Sequence, residues 1–219
     1  MTLLPRTFST NSRDKSINRP QRIAAAARLI KSLVTALLLI PLLLIQLLCV
    51  SAQATETVER ELLSLLKQAA TEADSFDDQY DAEVWLVAKE PVLASLVKDP
   101  AQRINLLKLV HSEASRAGLS PEIVLALIEV ESGFDRYAVS SAGAQGMMQI
   151  MPFWKHEIGR PEDNLINTRT NLRYGCTILK YYLDRGKGRL ADALARYNGS
   201  HGQYWYAERV LDVWAKRWR

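Results

Sequence analysis

Apolar residues recur along this chain at intervals of three and four, and the stretches that carry this period predict helices. They run over about 56–70, 79–96, 101–118, 121–132, 147–157, 168–184, 189–198 and 205–217. No segment sustains the every-second-residue alternation of a half-buried strand, so the pattern predicts an all-α fold without a sheet. Two stretches depart from the amphipathic rule. Ser32–Val50 is apolar for 19 residues, interrupted by Pro41. Pro121–Ser132 (PEIVLALIEVES) is apolar on nearly every side yet ends with two glutamates. A helix that is apolar all round reads as buried.

The first stretch reads as export machinery. Arg6, Arg13, Lys15, Arg19, Arg22, Arg28 and Lys31 precede it, and Ser51-Ala52-Gln53-Ala54 follows in an A-x-A cleavage pattern. Cleavage after Ala54 is the favoured expectation. An uncleaved single-span anchor, with its N-terminus cytoplasmic, is the alternative, since 19 residues just suffice to cross a bilayer. Either way the expected location is exported, in a periplasm or cell envelope, with inner-membrane anchoring in the second case. Leu48 before Cys49 breaks the lipoprotein pattern of a small residue before the cysteine.

Charge narrows the partners. The whole chain carries a net charge of +4, but residues 1–54 hold seven Lys/Arg and one acid, leaving 21 basic and 23 acidic residues for 55–219. That balance gives no electrostatic support to a nucleic-acid partner. Cys176 is the only cysteine after the leader, so no internal disulfide is expected there. With three scattered histidines it makes no metal site, and no cofactor is expected.

The candidate chemistry lies in the second stretch. Ser120 can cap that helix, Pro121 suits its first position and Gly133 can close it. Glu131 shares a face with Ile128, Leu127 and Val124. Glu129 shares one with Ala126, Leu125 and Glu122, and is expected to meet water more. Burial and the helix C-terminus both oppose ionisation of Glu131, which suits a general acid near neutral pH. On pattern alone, a glutamate reaching out to solvent is an equally good reading. Gly175, inside the stretch from Thr168, costs roughly 1 kcal/mol against alanine and suggests that another helix crosses closely.

Three blocks sharpen the picture: Glu131-Ser132-Gly133-Phe134, then Ala144-Gln145-Gly146-Met147-Met148-Gln149-Ile150-Met151-Pro152, then Ala195-Arg196-Tyr197-Asn198-Gly199. Taken singly, the methionines read as core packing, Asn198-Gly199 as a helix stop and Tyr197 as a core tyrosine. Together, in this order, they resemble the soluble lytic transglycosylase family, with its goose-type-lysozyme-like helical fold. The resemblance covers roughly residues 105 to 200.

The resemblance implies a catalytic domain over 105–219; residues 55–104, with their cluster of acids, read as a helical N-terminal extension, and 1–54 as the signal peptide or membrane anchor described above. The resemblance also implies a peptidoglycan substrate, cut between N-acetylmuramic acid and N-acetylglucosamine without water to give a 1,6-anhydro end. Glu131 would be the single acid and base. Ser140, Gln149, Met151, Tyr197 and Asn198 would line the substrate, with the Tyr197 hydroxyl near the acid. Two alternatives remain: a hydrolase of the same fold, which would need a second carboxylate, or a non-catalytic peptidoglycan-binding module. Asp135 is the nearest acid in sequence, but Gly133 is expected to end the helix between them. Met147, Arg196 and Ser200 depart from the commoner residues of the family without removing a reactive group.

Overall fold

The polar and turn residues that punctuate the apolar stripes set the element boundaries. Asp99 accepts a hydrogen bond from the Gln102 N–H at 2.9 Å and Asn167 one from Thr170 at 3.1 Å, so each caps the helix that follows it. In the computed structural model, residues 60, 62–66, 75 and 79–219 are described. The leader reading and most of the helix expected over 56–70 fall outside these residues, although residues 62–66 are helical. The chain then forms α1 (Gln79–Leu93), α2 (Pro100–Arg116), α3 (Pro121–Ser132), α4 (Trp154–Ile158), α5 (Thr168–Arg185), α6 (Leu190–Asn198) and α7 (Trp205–Val213). A π-helical turn, Trp214–Trp218, follows α7 directly. The described residues contain no strand, only two isolated bridges, Val139 with Gln145 and Gln145 with Ile150. The all-α expectation holds.

α3 is the central element. Ile123 to Ile128 are all buried, and α2, α7 and the π-helical turn pack around it. Its start differs from expectation: the Ser120 hydroxyl makes no cap bond and donates to Glu122 instead, at 2.7 Å. Its end is as expected, with Gly133 left-handed at φ 59°. α5 pairs with α6 on one side and meets α2 on another. Buried Glu113 ties α2 to α5 through Arg173 at 2.8 Å and accepts from Arg116 at 2.7 Å. Burial alone would raise its pKa, but the two guanidiniums outweigh it and hold the carboxyl below its usual value.

Two expectations are corrected. Residues 147–153 do not begin a helix; hydrogen-bonded turns occupy 146–149, Ile150 bridges to Gln145, and helix starts only at Trp154. Gly175 does not admit a crossing helix either. A Cβ there would lie 2.2 Å from the Met148 sulfur, so the glycine makes room for one methionine side chain. Cys176 beside it is fully buried, and burial pushes its thiol up to about 12, leaving an unreactive packing residue.

Candidate active site

Both glutamates near the end of α3 are partly buried, and their partners tell them apart. Glu129 was expected to face water. Its side chain is only 13% exposed, because the π-helical turn covers that face. Its carboxylate accepts from Arg217 and from the Trp218 indole N–H, both at 2.7 Å. Trp218 is itself fully buried, whereas Trp205 is 56% exposed. Glu129 is therefore a structural acid that binds α3 to the last turn of the chain.

Glu131 has a different setting. The hydroxyl of Tyr206 on α7 donates to its Oε1 at 2.5 Å. Burial raises its pKa. The Tyr206 hydrogen bond and the charge of exposed Arg209 act against that rise without cancelling it. No carboxylate among the described residues contributes to this balance. Asp135 is exposed and accepts from the Tyr137 N–H at 2.8 Å, closing a local turn. Tyr206 is 3% exposed, and burial first, then the charge of Glu131, hold its hydroxyl protonated far above the usual range. It is thus a fixed donor at any pH the protein meets.

A rigid loop stands beside this acid, pinned from four sides. Ser132 donates to the Met147 carbonyl at 2.8 Å, and the Tyr197 hydroxyl donates to the Met148 carbonyl at 2.7 Å. Asn171, 1% exposed on α5, accepts from the Met148 N–H at 2.8 Å. Its amide donates to the carbonyls of Gln145 at 2.8 Å and Leu165 at 2.9 Å. Gln149 is left-handed at φ 49°, and its amide reaches back to Gly146 at 2.9 Å and Ala138 at 3.2 Å. A non-glycine residue in that region is strained, and the two side-chain bonds hold it there.

The residues expected around the substrate are placed as follows. Gln149 and Tyr197 both frame the loop. Ionisation of Tyr197 is opposed first by burial and then by the charge of Glu131, so its ring lies within electrostatic range of the acid. The hydroxyl that bonds the acid, however, belongs to Tyr206. The Ser140 oxygen accepts from the Ala144 N–H at 3.0 Å and shapes the 140–144 turn. Met151 is half-buried after the loop, and Asn198 is the exposed last residue of α6 before left-handed Gly199. Tyr206, Asn171 and Arg209 were not singled out by the sequence. Tyr206 shares an apolar stripe with Ala207 and Val210, which was the one available signal.

Replacing Asn171 by alanine strands the Met148 N–H and the Leu165 carbonyl, both inside the protein, and takes one of two donors from the Gln145 carbonyl, which the Ile150 N–H still serves. The expected cost is about 3 kcal/mol, measured by denaturant unfolding.

Residues 108–210 match a family model described as the transglycosylase SLT domain. Among curated proteins, the chain is 50% identical over 46 residues to membrane-bound lytic murein transglycosylase C of Actinobacillus pleuropneumoniae serotype 5b (strain L20), covering 21% of this chain and 13% of that protein. It is 39% identical over 70 residues to the protein of the same name from Histophilus somni (strain 2336), covering 32% of this chain and 18% of that protein. The chain thus spans less than a fifth of these relatives' length. Among solved structures, an inactive mutant of lytic transglycosylase Slt from Pseudomonas aeruginosa aligns with a TM-score of 0.40 and 22% identity, over 71% of this chain and 33% of that one.

Proposed function

We propose that this protein is a peptidoglycan lytic transglycosylase and that Glu131 is its single acid and base; the match of residues 108–210 to the transglycosylase SLT domain supports the reading. The observation that carries the reading is the setting of Glu131: a carboxyl with a raised pKa, one fixed phenol donor and no carboxylate acting on it among the described residues. Glycosidases that use water employ two carboxyl groups, about 5–5.5 Å or 6.5–9.5 Å apart according to stereochemistry. A single carboxyl is sufficient when the nucleophile is the sugar's own 6-hydroxyl.

In the proposed reaction, protonated Glu131 gives its proton to the glycosidic oxygen between N-acetylmuramic acid and N-acetylglucosamine. The bond to the muramic anomeric carbon breaks, and the N-acetylglucosamine leaves with its hydroxyl. Ionised Glu131 then takes the proton of the muramic 6-hydroxyl as that oxygen closes on the anomeric carbon. Both proton transfers balance and no water is consumed. Tyr206 stabilises the carboxylate between the two steps, and Arg209 adds positive charge at that stage. The loop held by Ser132, Asn171, Gln149 and Tyr197 forms the wall against which the sugar is oriented.

The relatives are named as membrane-bound murein enzymes, which supports an envelope location for this chain. Among the described residues no helix is long and apolar enough to cross a membrane. Under the same reading, residues 1–54 are the leader or anchor, 55–104 an extension and 105–219 the catalytic domain. α1 of the extension reaches α3 through the Trp85 indole, which donates to Glu122 at 2.7 Å.

The test is to incubate the purified protein with peptidoglycan and weigh the products. Muropeptides lighter by one water than the hydrolysed forms are expected. Ordinary reducing ends would instead indicate a hydrolase, and intact strands a binding module.

Tyr206→Phe probes the acid from the side. The hydroxyl favours ionised Glu131, so its loss raises the carboxyl's pKa further. Since the first step needs Glu131 protonated, the alkaline limb of the pH–rate profile is expected to move to higher pH. An unmoved limb would separate Tyr206 from the acid's chemistry.

A further inference from the structure

The chain leaves the pinned loop at Pro152 and immediately lays two aromatic residues, Phe153 and Trp154, beside α5. Together with Ile158, Tyr181, Tyr182 and Arg185 they line a cleft of about 480 Å³ between α4 and α5. Phe153 is 53% exposed, Tyr181 50% and Ile158 44%. The rings form one continuous wall. Centroids lie 5.1 Å apart for Phe153 and Trp154, 6.5 Å for Trp154 and Tyr182, and 5.2 Å for Tyr181 and Tyr182. The rim is polar: an Arg185 guanidinium N–H donates to the Tyr181 hydroxyl at 3.0 Å, and Glu157 completes the lining.

Nothing in the proposed acid–base step uses this wall. Its volume falls in the range of small-ligand sites, about 300–1,000 Å³. Charged groups on its rim do not suit a purely apolar partner helix, whereas a sugar offers C–H faces for the rings and hydroxyl and amide groups for the rim.

The cleft follows the pinned loop closely along the chain. Tyr197 lies within electrostatic range of Glu131 and holds the Met148 carbonyl, and Phe153 is five residues further on. Five residues span at most about 18 Å. A glycan strand passing Glu131 and following the 149–152 backbone would therefore reach the wall within a few sugar units.

We propose that the aromatic cleft between α4 and α5 is an outlying sugar subsite that holds an N-acetylated aminosugar of the strand being cut. The inference rests on the proposed function for the identity of its ligand. The aromatic groups grip the strand at a distance from the scissile bond and favour long strands over short fragments.

The test uses the full chain carrying Glu131→Gln, so that strands are bound and not consumed. Its affinity for soluble, amidase-stripped glycan strands is measured by calorimetry, with and without Phe153→Ala and Tyr181→Ala. Each exposed aromatic is expected to cost about threefold and the pair about tenfold in Kd, with thermal stability unchanged. Equal affinity in parent and double variant would overturn the subsite while leaving the proposed function in place. A loss seen only with peptide-bearing strands would overturn it in favour of a peptide site. Failure of the parent to bind any strand would overturn the functional reading and the subsite together.

Discussion

Glu131→Gln is expected to lower the rate of peptidoglycan cleavage by about 10²–10⁴, the usual contribution of a general acid or base. The amide keeps the shape of the carboxyl and can still accept from Tyr206, so the fold survives. The protein is also expected to become more stable at neutral pH. The folded-state pKa of Glu131 is raised, so the folded protein holds this proton more tightly than the unfolded chain does. Stability from the group is full below the unfolded carboxyl value, about 4.3, and is lost as pH rises through the folded value. The amide has no such loss. Thermal unfolding should therefore show the variant above the wild type at pH 7, with the difference gone near pH 3. Loss of activity without this pH-dependent gain would mean that Glu131 is not the buried, destabilised acid described above. Full activity would remove it from the reaction.

Gly146→Ala is expected to destabilise the protein by about 3 kcal/mol or more, combining left-handed strain with a steric clash. Gly146 sits at φ 75°, and a Cβ there would lie 2.4 Å from the Asn171 amide nitrogen and 2.6 Å from the Leu165 carbonyl oxygen. Neither can retreat: the amide is committed to two carbonyls, and the oxygen is backbone. The loop beside Glu131 would shift, so cleavage should fall with stability. Gly143→Ala is the control. Its φ is also positive, at 86°, but nothing lies within 4 Å of the added Cβ. Only the backbone term applies there, roughly 1 kcal/mol. Similar denaturant midpoints for the two variants would show that the close approach to Asn171 carries no weight.

Much of the helical framework was readable because capping and apolar period are local properties. α3 matches its expected bounds, and α5 and α6 match within one residue, each closed by a glycine at its C-terminal end. The stretch after Ala144 misled for the same local reason. Met147, Met148, Ile150 and Met151 have a helix-like apolar density, but Gly146 and Gln149 are left-handed, and the segment's hydrogen bonds go to Asn171, Ser132 and Tyr197. Those partners lie up to 49 residues away, and no window of local sequence contains them.

The two glutamates of α3 mark the same boundary. Their spacing on the helix, and the motifs around Glu131, follow from the order of residues alone, and those sufficed to name Glu131 as the candidate acid and to carry the family resemblance. The sequence could not say what would cover each face. Helical phase gave Glu129 to solvent, yet the terminal π-helical turn folds over it and supplies Arg217 and Trp218. Phase likewise could not bring Tyr206, 75 residues on, to 2.5 Å from Glu131. Periodicity and capping depend on neighbours within a few residues, so sequence determines them. The ionisation of a carboxyl depends on which dipoles and charges surround it after burial, and tertiary packing alone decides that.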